Sequence, residues 1–223
     1  MQKNILVLPG WNFPGDDICN KTDFCKQASR EGFVLVMPDM QKSVYSSTIY
    51  PETRSDWLKN HTRGWITDSL IPFLQRNLKI FLPEQKNYLM GISTGGRGVA
   101  LLACYDNANL FRAGAALSGD FDQTLMPDDN LMKGYYGSYQ QYPQRWEEED
   151  NPARNACRIR IPLFLAHGTE DKVVPATQTE VFYRALKKCS ALPHQLHLVS
   201  GGRHDYSFWA SQYADILFFF NQN

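Results

Sequence analysis

The alternation of short apolar runs with helical patterns is the feature that most constrains the fold of this chain. Most of the runs are continuous rather than alternating, which is typical of strands buried on both faces. Apolar residues at helical spacing fill most of the intervals between them. Strand and helix in repetition predict an α/β fold, with a minimal, mostly parallel sheet of about six strands and helices on both faces. The predicted strands are 4–8, 33–37, 87–90, 113–117, 162–166 and 195–199, and the predicted helices are 66–78, 98–105, 177–188 and 206–220.

Two stretches, 39–61 and 119–157, are too long for this rhythm and are rich in Tyr, Trp, Pro, Asp and Gly. Each follows a predicted strand, and open α/β sheets build their sites from connections at the carboxyl ends of parallel strands. We therefore expect a single domain over 1–223 with active-site loop insertions near these stretches. Aromatic residues in them either wall a substrate pocket or pack the loops onto the body. They are Tyr45, Tyr50, Trp57, Tyr135, Tyr136, Tyr139, Tyr142 and Trp146.

Charge, hydropathy and cysteine content exclude several classes of protein. Basic and acidic residues number 23 each, so the formal net charge is zero, and nothing indicates a nucleic-acid or anionic-membrane partner. No stretch approaches the roughly 20 apolar residues that span a bilayer, and the run 5–8 is too short for a signal-peptide core. The five cysteines are irregularly spaced and lack a Cys-x-x-Cys pair. We expect reduced thiols, Cys104 in the core, and a cytoplasmic protein unless a processed leader precedes this sequence.

The most informative motif is Gly-x-Ser-x-Gly at 91–95, directly after one predicted strand and directly before a helix. In that context the serine lies on a tight turn in strained backbone geometry, with its hydroxyl exposed above the sheet. Gly91 and Gly95 are required because side chains there would collide with neighbouring backbone. The motif predicts Ser93 as a nucleophile, and the alternative is a glycine-rich structural turn with an idle serine.

A serine nucleophile needs a base, and the base needs an acid that orients it. In α/β-hydrolases the acid follows the serine along the chain and the histidine comes last. Asp171 lies in a short loop after the strand 162–166 and is the predicted acid, although it also suits a helix cap. Competitors for this role are Glu170, beside it, and Asp120 or Asp122 after the fourth strand.

His204 is the predicted base because its loop follows the last strand and precedes the last helix. His61 is expected to be exposed, His167 to be packed and hydrogen-bonded, and His194 and His197 lie in or beside the last strand. An oxyanion hole needs two N–H donors. The first is predicted at Thr94, and the second at Trp11, which packing alone also explains; Asn12 is a weaker choice.

Three segments carry a resemblance to a known family. The elbow Gly-Ile-Ser-Thr-Gly-Gly, the His-Gly-Thr-Glu-Asp segment and the ending Gly-Gly-Arg-His-Asp-Tyr-Ser-Phe-Trp resemble an esterase family of α/β-hydrolases. That family includes esterase D (S-formylglutathione hydrolase) and tributyrin esterases. The resemblance implies a Ser–His–Asp triad at Ser93, His204 and Asp171 that hydrolyses esters or thioesters without a cofactor. Three departures are the missing counterparts of the first two strands, Leu-Pro-Gly-Trp where many relatives have His-Gly, and Thr94 where many have Met.

The sequence therefore predicts a serine hydrolase that acts on a small-molecule carboxylic ester or thioester. An acyltransferase or peptidase on the same triad is one alternative, and a non-catalytic binding module on a hydrolase scaffold is another. No HExxH and no Gly-x-x-x-x-Gly-Lys-Ser/Thr motif occurs, so neither a metal site nor a phosphate site is expected, and no cofactor.

Overall fold

Six parallel strands form the centre of the molecule. The computed structural model describes residues 1–59, 61–106 and 108–223. The strands are β1 (Lys3–Leu8), β2 (Phe33–Val36), β3 (Lys86–Ile92), β4 (Ala113–Leu117), β5 (Leu163–Gly168) and β6 (Gln195–Val199). They form one sheet in the order β2-β1-β3-β4-β5-β6, with every neighbouring pair parallel. The predicted α/β fold is confirmed, and all six predicted strands are present.

Helices follow most of the strands and cover both faces of the sheet. They are α1 (Asp17–Lys21), α2 (Phe24–Arg30), α3 (Arg63–Trp65), α4 (Ile71–Phe73), α5 (Thr94–Cys104), α6 (Asn130–Tyr136), α7 (Pro143–Glu147), α8 (Thr177–Cys189), α9 (Tyr206–Ala210) and α10 (Tyr213–Gln222). Short 3₁₀ turns lie at Ser55–Trp57, Gln123–Leu125 and Ala156–Arg158.

Two predicted helices differ from the observed ones for local reasons. The segment predicted as 66–78 is helical from Arg63 but has wide π turns at Ile66–Leu70 and Leu74–Leu78. Pro72 lies between these turns, and its missing N–H interrupts the regular α-helical hydrogen bonds. The segment predicted as 206–220 divides into α9 and α10. At the break the Ser211 hydroxyl donates to the Phe208 carbonyl at 2.6 Å, which competes with the helical backbone.

Side chains of the central strands enter two apolar layers, one on each face of the sheet. Along β1, Ile5 and Val7 pack into one layer and Leu6 and Leu8 into the other. All four are buried, which explains why the strand reads as a continuous apolar run.

A third apolar cluster joins the two long loops to each other. Val44 and Trp57 from the first loop pack with Tyr135, Tyr136 and Trp146 from the second. Tyr45 instead enters the main core and donates its hydroxyl hydrogen to the Pro9 carbonyl at 2.8 Å. The aromatic residues of the loops thus pack the loops together and onto the body.

The prediction of reduced thiols is wrong for four of the five cysteines. Cys19 is disulfide-bonded to Cys25, with their Cα atoms 5.3 Å apart, and Cys157 to Cys189, at 4.8 Å. Tertiary packing makes both pairs: the α1–α2 turn brings the first pair together, and a 3₁₀ turn against the end of α8 brings the second. The spacing of the cysteines along the sequence predicts neither disulfide. Cys104 is free and buried in the core, as predicted.

No helix within the described ranges is long and apolar enough to cross a membrane.

Candidate active site

Ser93 lies at the carboxyl end of β3, immediately before α5, in an unusual backbone conformation. Its φ of 56° and ψ of −128° are sparsely populated for a residue with a side chain. Close backbone approaches enforce this turn. A Cβ atom at Gly91 would lie 2.2 Å from the Gly95 carbonyl oxygen, and one at Gly95 would lie 2.0 Å from the Leu8 carbonyl oxygen. The two glycines of the motif are therefore required by space.

A continuous chain of hydrogen bonds connects Ser93, His204 and Asp171. The Nε2 atom of His204 lies 2.9 Å from Ser93 Oγ, and its Nδ1 atom lies 2.6 Å from Asp171 Oδ2. A carboxylate only accepts hydrogen bonds, so Nδ1 carries the proton and Nε2 of the neutral ring accepts the serine hydroxyl. The fold thus brings three side chains from three separate loops into the arrangement that nucleophilic acyl transfer requires.

The Asp171 carboxylate is fully enclosed and is held by several donors. Its Oδ1 atom accepts the backbone N–H groups of Val173 and Val174, each at 2.8 Å. Burial raises the pKa of Asp171, but hydrogen bonds from His167, His204 and the Val174 N–H outweigh it. The pKa of this carboxyl therefore lies well below its ordinary value. The carboxylate is therefore ionised at neutral pH.

His167 is a second histidine on the same carboxylate, a role that sequence reasoning did not assign. Its Nε2 atom lies 2.9 Å from the Val174 carbonyl and 3.3 Å from Asp171 Oδ2, so Nε2 carries the proton. Its Nδ1 atom accepts the Thr179 hydroxyl at 2.6 Å. The ring is fully buried and cannot reach a substrate. The His-Gly dipeptide at the end of β5 was the only available signal.

The competing acids and histidines lie elsewhere. Asp120 is buried and pairs with Arg97 at 3.4 Å, and Asp122 caps a 3₁₀ turn through the Thr124 N–H. Glu170 lies 3.8 Å from exposed Arg203. His61 stacks on Trp65, and His194 accepts the Leu163 N–H. Within the described residues, none of these groups is hydrogen-bonded to Ser93 or His204.

Trp209 of α9 supports the His204 ring. The two rings meet edge to face, with centroids 5.2 Å apart, and the indole N–H donates to Ser118 Oγ at 3.1 Å. Ser118 follows β4, so this contact fixes the imidazole relative to the sheet.

The backbone N–H groups of Thr94 and Trp11, the two predicted oxyanion-hole residues, are among those near Ser93 that have no partner in the described part of the chain. The loop that carries Trp11 passes close to the serine, since a Cβ atom at Gly10 would lie 3.1 Å from Ser93 Cβ. The Asn12 N–H, in contrast, donates to the Gln41 carbonyl at 2.8 Å.

A cavity of about 340 Å³ opens beside Ser93, Thr94, Trp11 and His204. Its apolar walls are Phe13, Met126, Leu131, Met132, Val173 and Val174. A larger cavity of about 660 Å³ lies at Arg63 and Tyr105 but contains none of the three hydrogen-bonded side chains. The smaller cavity is therefore the candidate substrate site. Across the described ranges, no group of three or more His, Cys, Asp or Glu side chains is placed to hold a metal ion.

A model of the prolyl oligopeptidase family matches residues 26–223. The chain belongs to this family. No curated protein matches the chain in sequence. The family and the fold together identify a hydrolase.

Solved structures share the fold at low sequence identity. An S-formylglutathione hydrolase from Agrobacterium tumefaciens superimposes with a TM-score of 0.78 and 16% identity, covering 99% of this chain and 84% of that one. The serine hydrolase FphF of Staphylococcus aureus gives 0.74 and 19%, with 98% and 83% covered. A puromycin-hydrolysing peptidase of Mycobacterium tuberculosis gives 0.74 and 19%, and covers 100% of this chain but only 35% of the peptidase. The predicted resemblance to esterases of the α/β-hydrolase fold is confirmed, and peptidases share the same fold.

Proposed function

We propose that the protein is a serine hydrolase that cleaves carboxylic esters or thioesters through an acyl-enzyme intermediate. Ser93 Oγ attacks the substrate carbonyl while His204 Nε2 takes its proton. The oxyanion that forms is stabilised by the N–H groups of Thr94 and Trp11. His204 then protonates the departing alcohol or thiol, and Asp171 stabilises the charged imidazole between these steps. Water repeats the sequence, which releases the acid and regenerates Ser93.

The observation that carries this proposal is the hydrogen-bonded chain from Ser93 through His204 to Asp171, at 2.9 and 2.6 Å. The strained elbow at Ser93 supports it, as do the N–H groups of Thr94 and Trp11, to which no described residue offers an acceptor. The elbow conformation is unusual on its own, and all of these features converge at one end of the sheet. A non-catalytic protein that only binds a ligand would not require this combination of features.

A peptidase that uses the same three residues is the second candidate, favoured by the membership of the prolyl oligopeptidase family. Transfer of the acyl group to an acceptor other than water uses the same first step. Amides differ from esters in needing a protonated leaving amine, which His204 is placed to provide.

The test compares wild type and Ser93→Ala on p-nitrophenyl butyrate, a butyryl thioester and an alanine p-nitroanilide. We expect the ester or thioester to be hydrolysed and the activity to be lost in the variant. A fluorophosphonate probe should label wild type and not Ser93→Ala. Equal rates for both proteins would refute the catalytic role, and preferential cleavage of the anilide would establish the peptidase.

The two disulfides bear on the cellular compartment in which the protein resides. The cytoplasmic location expected from the sequence remains a prediction. Two disulfides favour an oxidising compartment instead, because reducing systems keep most cytosolic thiols unpaired. The proposed unit of function is one domain over 1–223. Of the two predicted loop insertions, 119–157 contributes residues to the cavity wall, whereas no described residue of 39–61 lines it and that loop packs against the second one.

A further inference from the structure

The cavity beside Ser93 contains two carboxylates in otherwise apolar walls. Asp120 enters from the loop after β4, and Asp129 enters from the start of α6. No lysine or arginine lines the cavity in the described part of the chain. Arg97, which pairs with Asp120, is not among the lining residues, so the two carboxylates are the charged groups that Asp and Glu side chains bring to the described wall of the cavity.

Asp120 is only partly satisfied by the protein. It is 3% exposed, and its Oδ2 atom pairs with the buried Arg97 at 3.4 Å. The carboxyl group also accepts a hydrogen bond from its own backbone N–H, and no other described residue donates to Oδ1. Arg97 also lies in the field of the buried Asp150, so its charge is shared between two carboxylates. Burial raises the pKa of Asp120 to about 6 in spite of Arg97, and the nearby Asp129 adds to the rise.

The hydroxyl of Thr94 is a second and independent sign of a ligand. Thr94 is 6% exposed and lines the cavity, yet its Oγ1 atom has no hydrogen-bond partner in the described residues. Buried hydroxyl groups without a partner are uncommon, and each costs free energy unless something binds there. In the Asp129 carboxylate, Oδ1 accepts the Met132 N–H and caps α6, while Oδ2 accepts no hydrogen bond from a described residue.

We propose that this cavity binds the protonated amine of a substrate that also carries an apolar chain. Asp120 and Asp129 accept hydrogen bonds from the ammonium group, together with the Thr94 hydroxyl. Met126, Leu131 and Met132 enclose the chain. An ammonium group supplies three donors, enough for one hydrogen bond to each carboxylate and one to the Thr94 hydroxyl. This inference rests on the proposed function, because it assigns a substrate class to the cavity at Ser93.

The test uses two nearly isosteric substrates, p-nitrophenyl 6-aminohexanoate and p-nitrophenyl heptanoate, at pH 7.5. The measured quantity is the ratio of their kcat/KM values, which cancels effects on folding and on chemistry. We expect this ratio to fall by about tenfold or more in Asp120→Asn, and to fall also in Asp129→Asn. Asparagine at 129 keeps a good helix cap, so that variant retains its local structure.

Asp128→Asn is the matched control. Its side chain is fully exposed and pairs with Lys133 at 3.6 Å, so it removes one negative charge nearby without touching the cavity. The substrate ratio should stay at its wild-type value. A fall in this variant equal to that in Asp120→Asn would show a general charge effect and overturn the proposal.

A measurement on wild type does not depend on whether Asp120→Asn folds. n-Hexylammonium should inhibit hydrolysis of the heptanoate ester competitively and at least about tenfold more strongly than hexanamide. Equal inhibition by the two compounds, with an unchanged substrate ratio in Asp129→Asn, would refute the amine site. If Ser93-dependent ester hydrolysis persists in that case, only the amine site fails. If hydrolysis does not depend on Ser93, the proposed function fails instead.

Discussion

Replacing Gly95 by alanine tests the close packing on which the whole site depends. Gly95 is the second residue of α5, where alanine would normally stabilise a helix by about 1 kcal/mol. Here the new Cβ atom would lie 2.0 Å from the Leu8 carbonyl oxygen and 2.7 Å from that of Pro9. Both partners are backbone atoms, so β1 and α5 must separate by roughly 1 Å or more. Overpacking of this kind costs typically about 1–3 kcal/mol, and more where backbone has to move.

Gly64→Ala provides the control for Gly95→Ala. Gly64 is also the second residue of a helix, but a Cβ atom there would meet its nearest neighbours at 3.6 Å, an ordinary contact. We expect Gly64→Ala to be neutral or slightly stabilising, and the two variants to differ by about 3 kcal/mol in the free energy of unfolding. Urea denaturation followed by fluorescence measures this difference. The folded fraction of Gly95→Ala should also lose about 100-fold in kcat, because the shift of Leu8 and Pro9 carries Trp11 away from the oxyanion. Equal urea midpoints and full activity in both variants would refute the reasoning.

Three further results are expected. Asp171→Asn should lower kcat by about 10⁴-fold, measured on p-nitrophenyl butyrate, because the imidazole loses its orienting acceptor; a change below tenfold would contradict the assignment. Since the fold lowers the pKa of Asp171, this group stabilises the fold above its ordinary pKa of about 3.9 and ceases to do so as the pH falls through the lower, folded value. When the pH is lowered from about 5 to 2, the free energy of unfolding should therefore fall further in wild type than in Asp171→Asn. If the two proteins lose the same free energy over this range, the reasoning is contradicted. Removing the Cys157–Cys189 disulfide, which spans 32 residues, should lower the free energy of unfolding by about 4 kcal/mol, against about 2 kcal/mol for Cys19–Cys25, which spans 6; calorimetry that gave the reverse order would contradict the loop-closure argument.

The sheet and the hydrogen-bonded chain were predictable because each depends on local patterns. β3 was predicted as 87–90 and runs over Lys86–Ile92, since its apolar run continues into the elbow. Ser93, Asp171 and His204 each follow a strand end, and parallel strands place all their carboxyl ends at one edge of the sheet. Topology therefore brings together residues that lie far apart in the sequence.

Other features depend on contacts that no local pattern records. The Cys157–Cys189 disulfide exists because a 3₁₀ turn packs against the end of α8, and neither residue has a motif around it. The donation from His167 to Asp171 depends on the direction of one buried ring. Within the two long loops, the apolar residues that line the cavity are Met126, Leu131 and Met132. The tyrosines and tryptophans of these loops pack one loop against the other or onto the body instead.

The fully buried Arg97 has a consequence for how this enzyme could acquire new specificity. One helical turn after Ser93, its guanidinium donates to the Val44 carbonyl in one loop and to the Asp150 and Asp120 carbonyls in the other. Hydrogen bonds to this one side chain of α5 thereby hold both long loops against the helix that begins after Ser93. A loop grafted from a relative must bring carbonyl groups to the same points in space, whatever side chains it presents to a substrate. Specificity can therefore diverge by exchange of cavity side chains far more readily than by exchange of whole loops.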